Sequence, residues 1–456
     1  MTAEVTDGAP DRVADRPEEA LERFRALVRI PTMSRNAVEE TDWEAFERFI
    51  DALPRLYPAL HSALERERHG HSLLYRWRGR ADGAPSVLMA HYDVVPATDE
   101  GWTHPPFEAA VTGAGEERLL WGRGAIDDKG ALVAILEAVE RLVVSGFQPE
   151  NDVYLSFGHD EETVGSGARA IAELLRERGI RPALVLDEGG AVVERIFPGV
   201  SAPIAVVGVS EKGITSVRLV VEQDGGHAST PPRMTATVRL ARAITRIAGR
   251  PFPARLSETN LRMVETLGAH ASGPLRAVFT RARRLRPLLV AVFGRLSDET
   301  RAIVRTTTAV TQLRGSLAAN ALPETAEAIV NTRIAVGSSV AETLDHLRRA
   351  IRDDAVRVEA LDASEPSPVS PCEGPQWERL AASIRSVHPR AVVTPYVMLG
   401  ASDSRHFTGI CEAVYRFTPF ELSAGERAAL HARDERIHVA TWLRGIDVYA
   451  HLLRHS

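Results

Sequence analysis

Two cysteines, two lysines and no long apolar run set the first limits on this 456-residue chain. Cys372 and Cys411 stand in no CxxC or CxH arrangement, which argues against thiolate zinc ligation and against a disulfide framework, a single bridge between them staying open. The best apolar stretch, Pro287 to Phe293, falls far short of the roughly 20 residues a helix needs to cross a bilayer, so no membrane span is expected. Met1 to Pro17 is polar and acidic, without the basic start and apolar core of a secretory signal, and a cytoplasmic location is expected. A net charge of -6 with no basic block gives no reason to expect a nucleic-acid partner. Arginine fills almost every basic position, a bias that usually follows nucleotide composition. The two exceptions, Lys129 and Lys212, mark places where an ammonium group is specifically wanted.

What is present is a globular composition: 44% hydrophobic and 25% charged residues. The length exceeds one ordinary domain and suits two. Residues 1–18 read as a flexible tail. Helical apolar spacing covers Glu19 to Val28 and Asp42 to Leu56, while Ser72 to Trp77 and Ser86 to Ala90 read as short strands. After Gly130, apolar residues from Leu132 to Val143 recur at three- and four-residue intervals, an amphipathic helix. A strand at Val153 to Phe157, a helix over 170–178 and a strand at Ala183 to Leu186 complete a β-α-β-α-β alternation. That is the pattern of a mostly parallel sheet with helices on both faces. The middle differs. Strands at Ile214–Val221, Thr307–Leu313, Ala326–Ile334 and Val356–Leu361, with helices over 233–247 and 341–352, suggest a small open α+β sandwich with an extra helical stretch at 251–306. Ser364 to Pro375 reads as the return linker. The expected architecture is an α/β catalytic domain (19–212 and 363–456) interrupted by a smaller α+β lid or dimerisation domain (213–362) with a helical insert.

Several acidic or histidine clusters fall directly after a predicted strand or at a helix start, and ligand sites in open α/β sheets lie beyond the carboxyl ends of the strands. In Met89-Ala90-His91-Tyr92-Asp93, His91 could hold a metal through one ring nitrogen while Asp93 accepts the other ring N–H. The plainer reading is a strand-end histidine beside a turn aspartate. Gly122 to Gly130 sets glycines and the pair Asp127-Asp128 at the start of the long helix, where carboxylates are welcome and one could bridge two cations; a helix cap alone needs fewer charges. His159-Asp160-Glu161-Glu162 places three acids side by side, which repel unless a cation neutralises them. One would ligate and its neighbour serve as general base. Leu186-Asp187-Glu188-Gly189-Gly190 ends another strand on two acids. His227, in Gly225 to Thr230, and His431, in Leu430 to His438, read singly as surface-loop histidines. Taken together, histidines and carboxylates without cysteine suit zinc, in numbers sufficient for two ions sharing a carboxylate.

In this order and combination, His91-x-Asp93, the GRGAxDxKG pattern at 122–130, Asp160-Glu161-Glu162, GGHAS at 225–229 and the late His431 resemble the aminoacylase/carboxypeptidase family of two-zinc peptidases. That family also includes succinyl-diaminopimelate desuccinylase, acetylornithine deacetylase and carnosine dipeptidases. The likeness runs from about residue 20 to the C-terminus. Gly208 to Gly213, Arg305 to Ala309 and the 251–306 insert are similar to the branch holding carboxypeptidase S and the N-fatty-acyl-amino acid synthase/hydrolases. The resemblance implies that His91 binds one zinc, His431 the other, and Asp127 bridges both. It implies that Glu162 completes one site and Asp187 or Glu188 the other, with Asp187 favoured. It makes Glu161 the general base and Asp93 the residue that orients His91. His227 becomes the oxyanion stabiliser, reaching across a dimer in several relatives; Asn320 becomes a second lid residue, and Arg405 the partner of the substrate carboxylate. His438 is the alternative to His431, and the family pattern favours the earlier histidine. The implied cofactor is two Zn2+ ions, with Co2+ and Mn2+ also suiting nitrogen and oxygen ligands. The implied activity is hydrolysis of the amide bond of N-acyl amino acids. A dipeptidase or carboxypeptidase acting on free peptides comes second. A catalytically inactive metal-binding scaffold comes third, disfavoured because Glu161 is present. A homodimer is expected if His227 acts in trans, and Leu288 to Phe293 is expected to line a pocket for a long or bulky acyl group.

Overall fold

The computed structural model describes residues 16–194 and 197–456. The tail expected over 1–18 lies outside the described residues as far as 15. A helix, Pro17–Val28, has already begun two residues later, with proline at its first turn where its missing N–H is harmless.

Among the described residues, ten strands form one mixed sheet. Its order is Glu65–His69, Ser72–Trp77, Val153–Gly158, Ser86–His91, Leu184–Asp187, Val414–Arg416, Ile204–Glu211, Val192–Val193 and Glu421–Leu422, with Val392–Met398 also pairing Ile204–Glu211. The centre is parallel: Ser86–His91 runs alongside both Val153–Gly158 and Leu184–Asp187, and Leu184–Asp187 alongside Val414–Arg416. Every residue of Ser86–His91 and of Val153–Gly158 is buried, odd and even positions alike. Both faces of the sheet are therefore covered, which is why these segments read as continuous apolar runs and not as alternating ones. The helix Lys129–Val144 lies against Ser86–His91 and against the C-terminal helix Val439–Arg454. Trp442 of the latter stacks on Phe24 at 4.7 Å and donates its indole N–H to the Gly130 carbonyl. The parallel registers place His91 beside Gly158, Leu88 beside Leu186 and Asp187 beside Arg416. The segments leaving these strands thus emerge at one edge of the sheet.

A second sheet is antiparallel, in the order Thr307–Arg314, Thr325–Ile334, Gly213–Glu222, Arg357–Ser364. The helices Ala236–Ala248 and Val340–Ile351 pack on it and enclose a separate core that includes Val217, Leu219, Leu240, Val330 and Leu347. The 251–306 stretch forms four helices, Glu258–Ala269, Gly273–Phe279, Arg286–Leu296 and Asp298–Val304. The buried side chains of its helices, among them Leu261, Val264, Leu267, Leu289 and Phe293, join the core of the large sheet, while Phe252 ahead of them joins that of the small one. Helical spacing shows that a face is apolar but not which neighbour covers it; here Glu258–Ala269 lies on Val392–Met398. The apolar run expected to line an acyl pocket is accordingly split, with Leu289 and Phe293 in the core and Leu288 and Val292 facing out.

Both lysines are buried and satisfied by backbone carbonyls. Lys129 Nζ donates to Ile30 O at 2.6 Å and Leu27 O at 3.3 Å, and Lys212 Nζ to Arg305 O at 2.7 Å. Burial brings Lys129 down to about 7, and burial together with nearby Arg333 brings Lys212 down to about 8. The cysteines are both free thiols.

Candidate functional site

Five separate stretches of chain, carrying His91, Asp127, Glu161-Glu162, Glu188 and His431, converge at the carboxyl edge of the large sheet. Asp127 stands at their centre. Its Oδ1 lies 3.0 Å from His91 Nε2, and its Oδ2 lies 3.0 Å from His431 Nε2. Each histidine faces a further carboxylate: Glu188 Oε1 is 3.7 Å from His91 Nε2, and Glu162 Oε2 is 3.1 Å from His431 Nε2. Potential ligand atoms of His91, Glu161 and Glu188 lie within 4.8 Å of one another, as do those of His91, Asp127 and Glu162. Crowding shows in the acidities. Burial, then the charges of Asp403, Asp127 and Glu162 working against that of His91, pushes the Glu161 carboxyl well above the usual range. Burial and Asp127 do the same to Glu188. Hydrogen bonds to Asp127 and Glu162 raise His431 to about 10. Glu162 Oε1 is buried with no hydrogen-bond partner. Two imidazoles, a central carboxylate with one oxygen toward each, an outer carboxylate on each side and an orphaned lone pair fit a pair of divalent cations.

The scaffold beneath these groups is built from other buried acids. Asp93, fully buried, accepts the backbone N–H of Glu161 on one oxygen and that of Glu162 on the other, both at 3.2 Å. Its carboxylate also sits 3.3 Å from His91 Nδ1, which lies 3.0 Å from the Asp93 carbonyl. One side chain thereby orients three of the converging groups. Glu435, which the sequence analysis passed over, does comparable work on the other side. Its carboxylate accepts the backbone N–H groups of Gly124, Ile126 and Asp127 and the Arg123 guanidinium, at 2.8–3.1 Å. Arg123 and Glu435 are both buried, and deleting one partner of such a pair costs about 3–5 kcal/mol. The glycines of this loop are sterically required. Gly124 has φ 84, and a Cβ on Gly130 would lie 2.3 Å from the Ala125 carbonyl oxygen. His431 itself adopts φ 56, a left-handed conformation that is uncommon outside glycine and typical of functional positions.

Asp187 and Glu188 divide. Asp187 Oδ2 accepts the backbone N–H of Ser404 at 2.8 Å, so its carboxylate is committed to the 402–405 segment, whereas Glu188 faces His91. That segment is also held by buried Glu211, whose Oε2 accepts the Ser402 N–H at 2.9 Å and lies 3.4 Å from Arg416 Nε. It presents Arg405, whose Nε is buried without a hydrogen-bond partner. Burial and the charge of Arg405 lower Arg333, which comes from the small sheet's Thr325–Ile334 strand and was missed because polar residues at alternate strand positions read as a solvated face. His227 and Asn320 are brought together: Gly226–His227 pairs with Ala321–Leu322, and the Ala228 N–H donates to Asn320 O at 3.0 Å. Both side chains are exposed, and among the described residues neither shares a hydrogen bond or ion pair with the central cluster. His438 is engaged elsewhere, with Nδ1 2.7 Å from Glu426.

Known proteins similar to this chain are plentiful. The model of the family described as Peptidase family M20/M25/M40 matches residues 87–455. A probable carboxypeptidase S-like 2 from Dictyostelium discoideum is 34% identical over 447 residues, covering 96% of this chain and 85% of the relative. The human N-fatty-acyl-amino acid synthase/hydrolase PM20D1 is 32% identical over 447 residues, covering 95% and 87%. Among solved structures, an M20 family metallo-carboxypeptidase from Sulfolobus solfataricus shares the fold with a TM-score of 0.70 at 17% identity, covering 96% of this chain and 98% of that one. The chain belongs to peptidase family M20/M25/M40.

Proposed function

We propose that this metal-dependent amidohydrolase cleaves the amide bond of N-acyl amino acids, using two zinc ions held by His91, Asp127 and Glu188 and by His431, Asp127 and Glu162. The observation that carries the reading is the pair of 3.0 Å approaches from the two oxygens of Asp127 to two different histidines. Bound there, two divalent cations supply an acidified water and polarise the scissile carbonyl. Glu161, held by its backbone on Asp93, accepts the water proton and returns it to the leaving nitrogen. A carboxyl raised by burial and neighbouring acids is suited to both halves of that transfer. Arg405, from the helical turn Asp403–Gly409, and Arg333, from the small sheet, bring like charges together and form the seat for the substrate carboxylate. The same seat serves the C-terminus of a peptide, so hydrolysis of free peptides is the second reading. A cavity of about 400 Å³ between the cores, lined by Phe252, Leu256, Ile303, Val304 and Val397 but also by Arg255, Asn260, Arg286, Glu342 and His346, is the candidate seat for the acyl part of the substrate.

The reading is tested by metal content and by hydrolysis of N-acetyl amino acids, N-dodecanoyl amino acids and dipeptides before and after chelation. Chelation should abolish turnover, and dodecanoyl substrates should be preferred. Equal rates at both chain lengths would remove the acyl assignment, and turnover of dipeptides alone would establish the second reading.

The ligand choice has its own test. Glu188→Ala should lose about one metal ion per chain and lower activity by at least about a hundredfold. Asp187→Asn should keep its metal and suffer less, because Asp187 acts through Ser404. Metal loss in the Asp187 variant alone would reverse the assignment.

We further propose that His227 and Asn320 serve the site of a second copy of the chain. Both are exposed, and the edge strand Thr307–Arg314 carries exposed Val310 and Leu313 that a partner would cover. Mixing His227→Ala with Glu161→Gln, each inactive alone, should restore about a quarter of wild-type activity, since half the dimers are mixed and each holds one complete site. No recovery after subunit exchange would place His227 in its own chain's site.

A further inference from the structure

The 273–296 stretch contains six arginines and no acidic residue, within a chain of net charge -6. Arg283 and Arg286 pair with Glu258, and Arg283 also with Glu265. Arg276, Arg281, Arg284 and Arg295 are exposed and have no carboxylate within ion-pair distance among the described residues. The turn at 281–285 leads into the helix Arg286–Leu296 with helix-like backbone bonds, Leu285 N to Arg281 O and Leu289 N to Leu285 O. Along this continuous spiral Ala282, Leu289 and Phe293 are buried. The outward stripe at three- and four-residue spacing is Arg281, Arg284, Leu288, Val292, Arg295 and Leu296. Leu288, Val292 and Leu296 are 55%, 44% and 62% exposed, so three large apolar side chains project from one helix face between arginines.

We propose that this face seats the enzyme on an anionic lipid surface. The apolar side chains would enter the boundary between headgroups and acyl chains, and the guanidiniums of Arg281, Arg284 and Arg295 would meet lipid phosphates. Charge complementarity selects this occupant: a locally basic, acid-free stripe on an acidic protein is drawn to a negatively charged plane while the rest of the surface is repelled from it. The stripe carries no exposed aromatic on which a nucleic-acid base could stack. Helix Arg286–Leu296 contributes none of the metal-centre residues, and none of the stripe residues lines the 400 Å³ cavity.

The test is co-sedimentation of the full, metal-loaded chain with phosphatidylcholine vesicles and with vesicles carrying roughly a third phosphatidylglycerol. Binding is expected to the anionic vesicles only and to weaken as salt rises. Arg281→Ala with Arg284→Ala should weaken it by about tenfold or more. Leu288→Asp with Val292→Asp should abolish it, while both variants hydrolyse a short, water-soluble substrate at the wild-type rate. Absence of sedimentation with anionic vesicles would overturn the proposal. So would binding unchanged in both variants, or a solution dimer that the Leu288 and Val292 changes convert to monomer.

Discussion

Glu161→Gln should leave about two metal ions bound per chain and lower kcat by about a thousand- to ten-thousandfold, at the upper end of what a general base contributes. The amide is nearly isosteric, and the backbone N–H of residue 161 still donates to Asp93, so the neighbouring Glu162 keeps its position. What is lost is the only function an amide cannot perform, taking a proton from water and delivering it to the departing nitrogen. KM should change little, because the carboxylate seat proposed at Arg405 and Arg333 is untouched. Metal analysis and steady-state kinetics on the same preparation check both halves. Activity near wild type would remove Glu161 from the chemistry, and loss of metal would make it a ligand.

Asp127→Ala should have the broader effect, with both ions lost and turnover falling to background. Every other proposed ligand serves one ion, whereas Asp127 offers one oxygen toward His91 and the other toward His431. Its removal also leaves two imidazoles and the acids Glu161, Glu162 and Glu188 facing one another without their central partner. Metal content near zero, with the helical and strand circular-dichroism signal preserved, is the expected result. Retention of one ion at full occupancy would show that the two sites do not share this residue.

The convergence of these candidate residues was legible because each falls at a strand end or a helix start on the same edge of the sheet. His91 ends a fully buried strand, Asp127 precedes a helix after a run of glycines, and Glu161-Glu162 follow another buried strand. The choice between Asp187 and Glu188 was not legible. Adjacent residues at a strand end point in different directions, and the group that claims Asp187 is the N–H of Ser404, 217 residues further along. Glu435 escaped notice because Arg433-Asp434-Glu435-Arg436 has the look of a solvated charge run, yet Glu435 is fully buried. Arg333 was hidden by the ordinary alternation of a half-exposed strand. In the fold, the apolar strands and long helices stood out, whereas Glu65–His69 contains no apolar residue and only its pairing with Ser72–Trp77 makes it a strand. The helices of 251–306 were visible as helices, but their partner was not.

Glu435 ties the loop that carries Asp127 to the segment that carries His431, more than 300 positions away. During synthesis, the first part of the binding loop leaves the ribosome long before the side chain that shapes it. A growing chain holds His91, the acids and the glycines but no carboxylate to gather the N–H groups of 124–127. The shape of the 124–127 loop is thereby set only once the segment that carries Glu435 has been made and has docked.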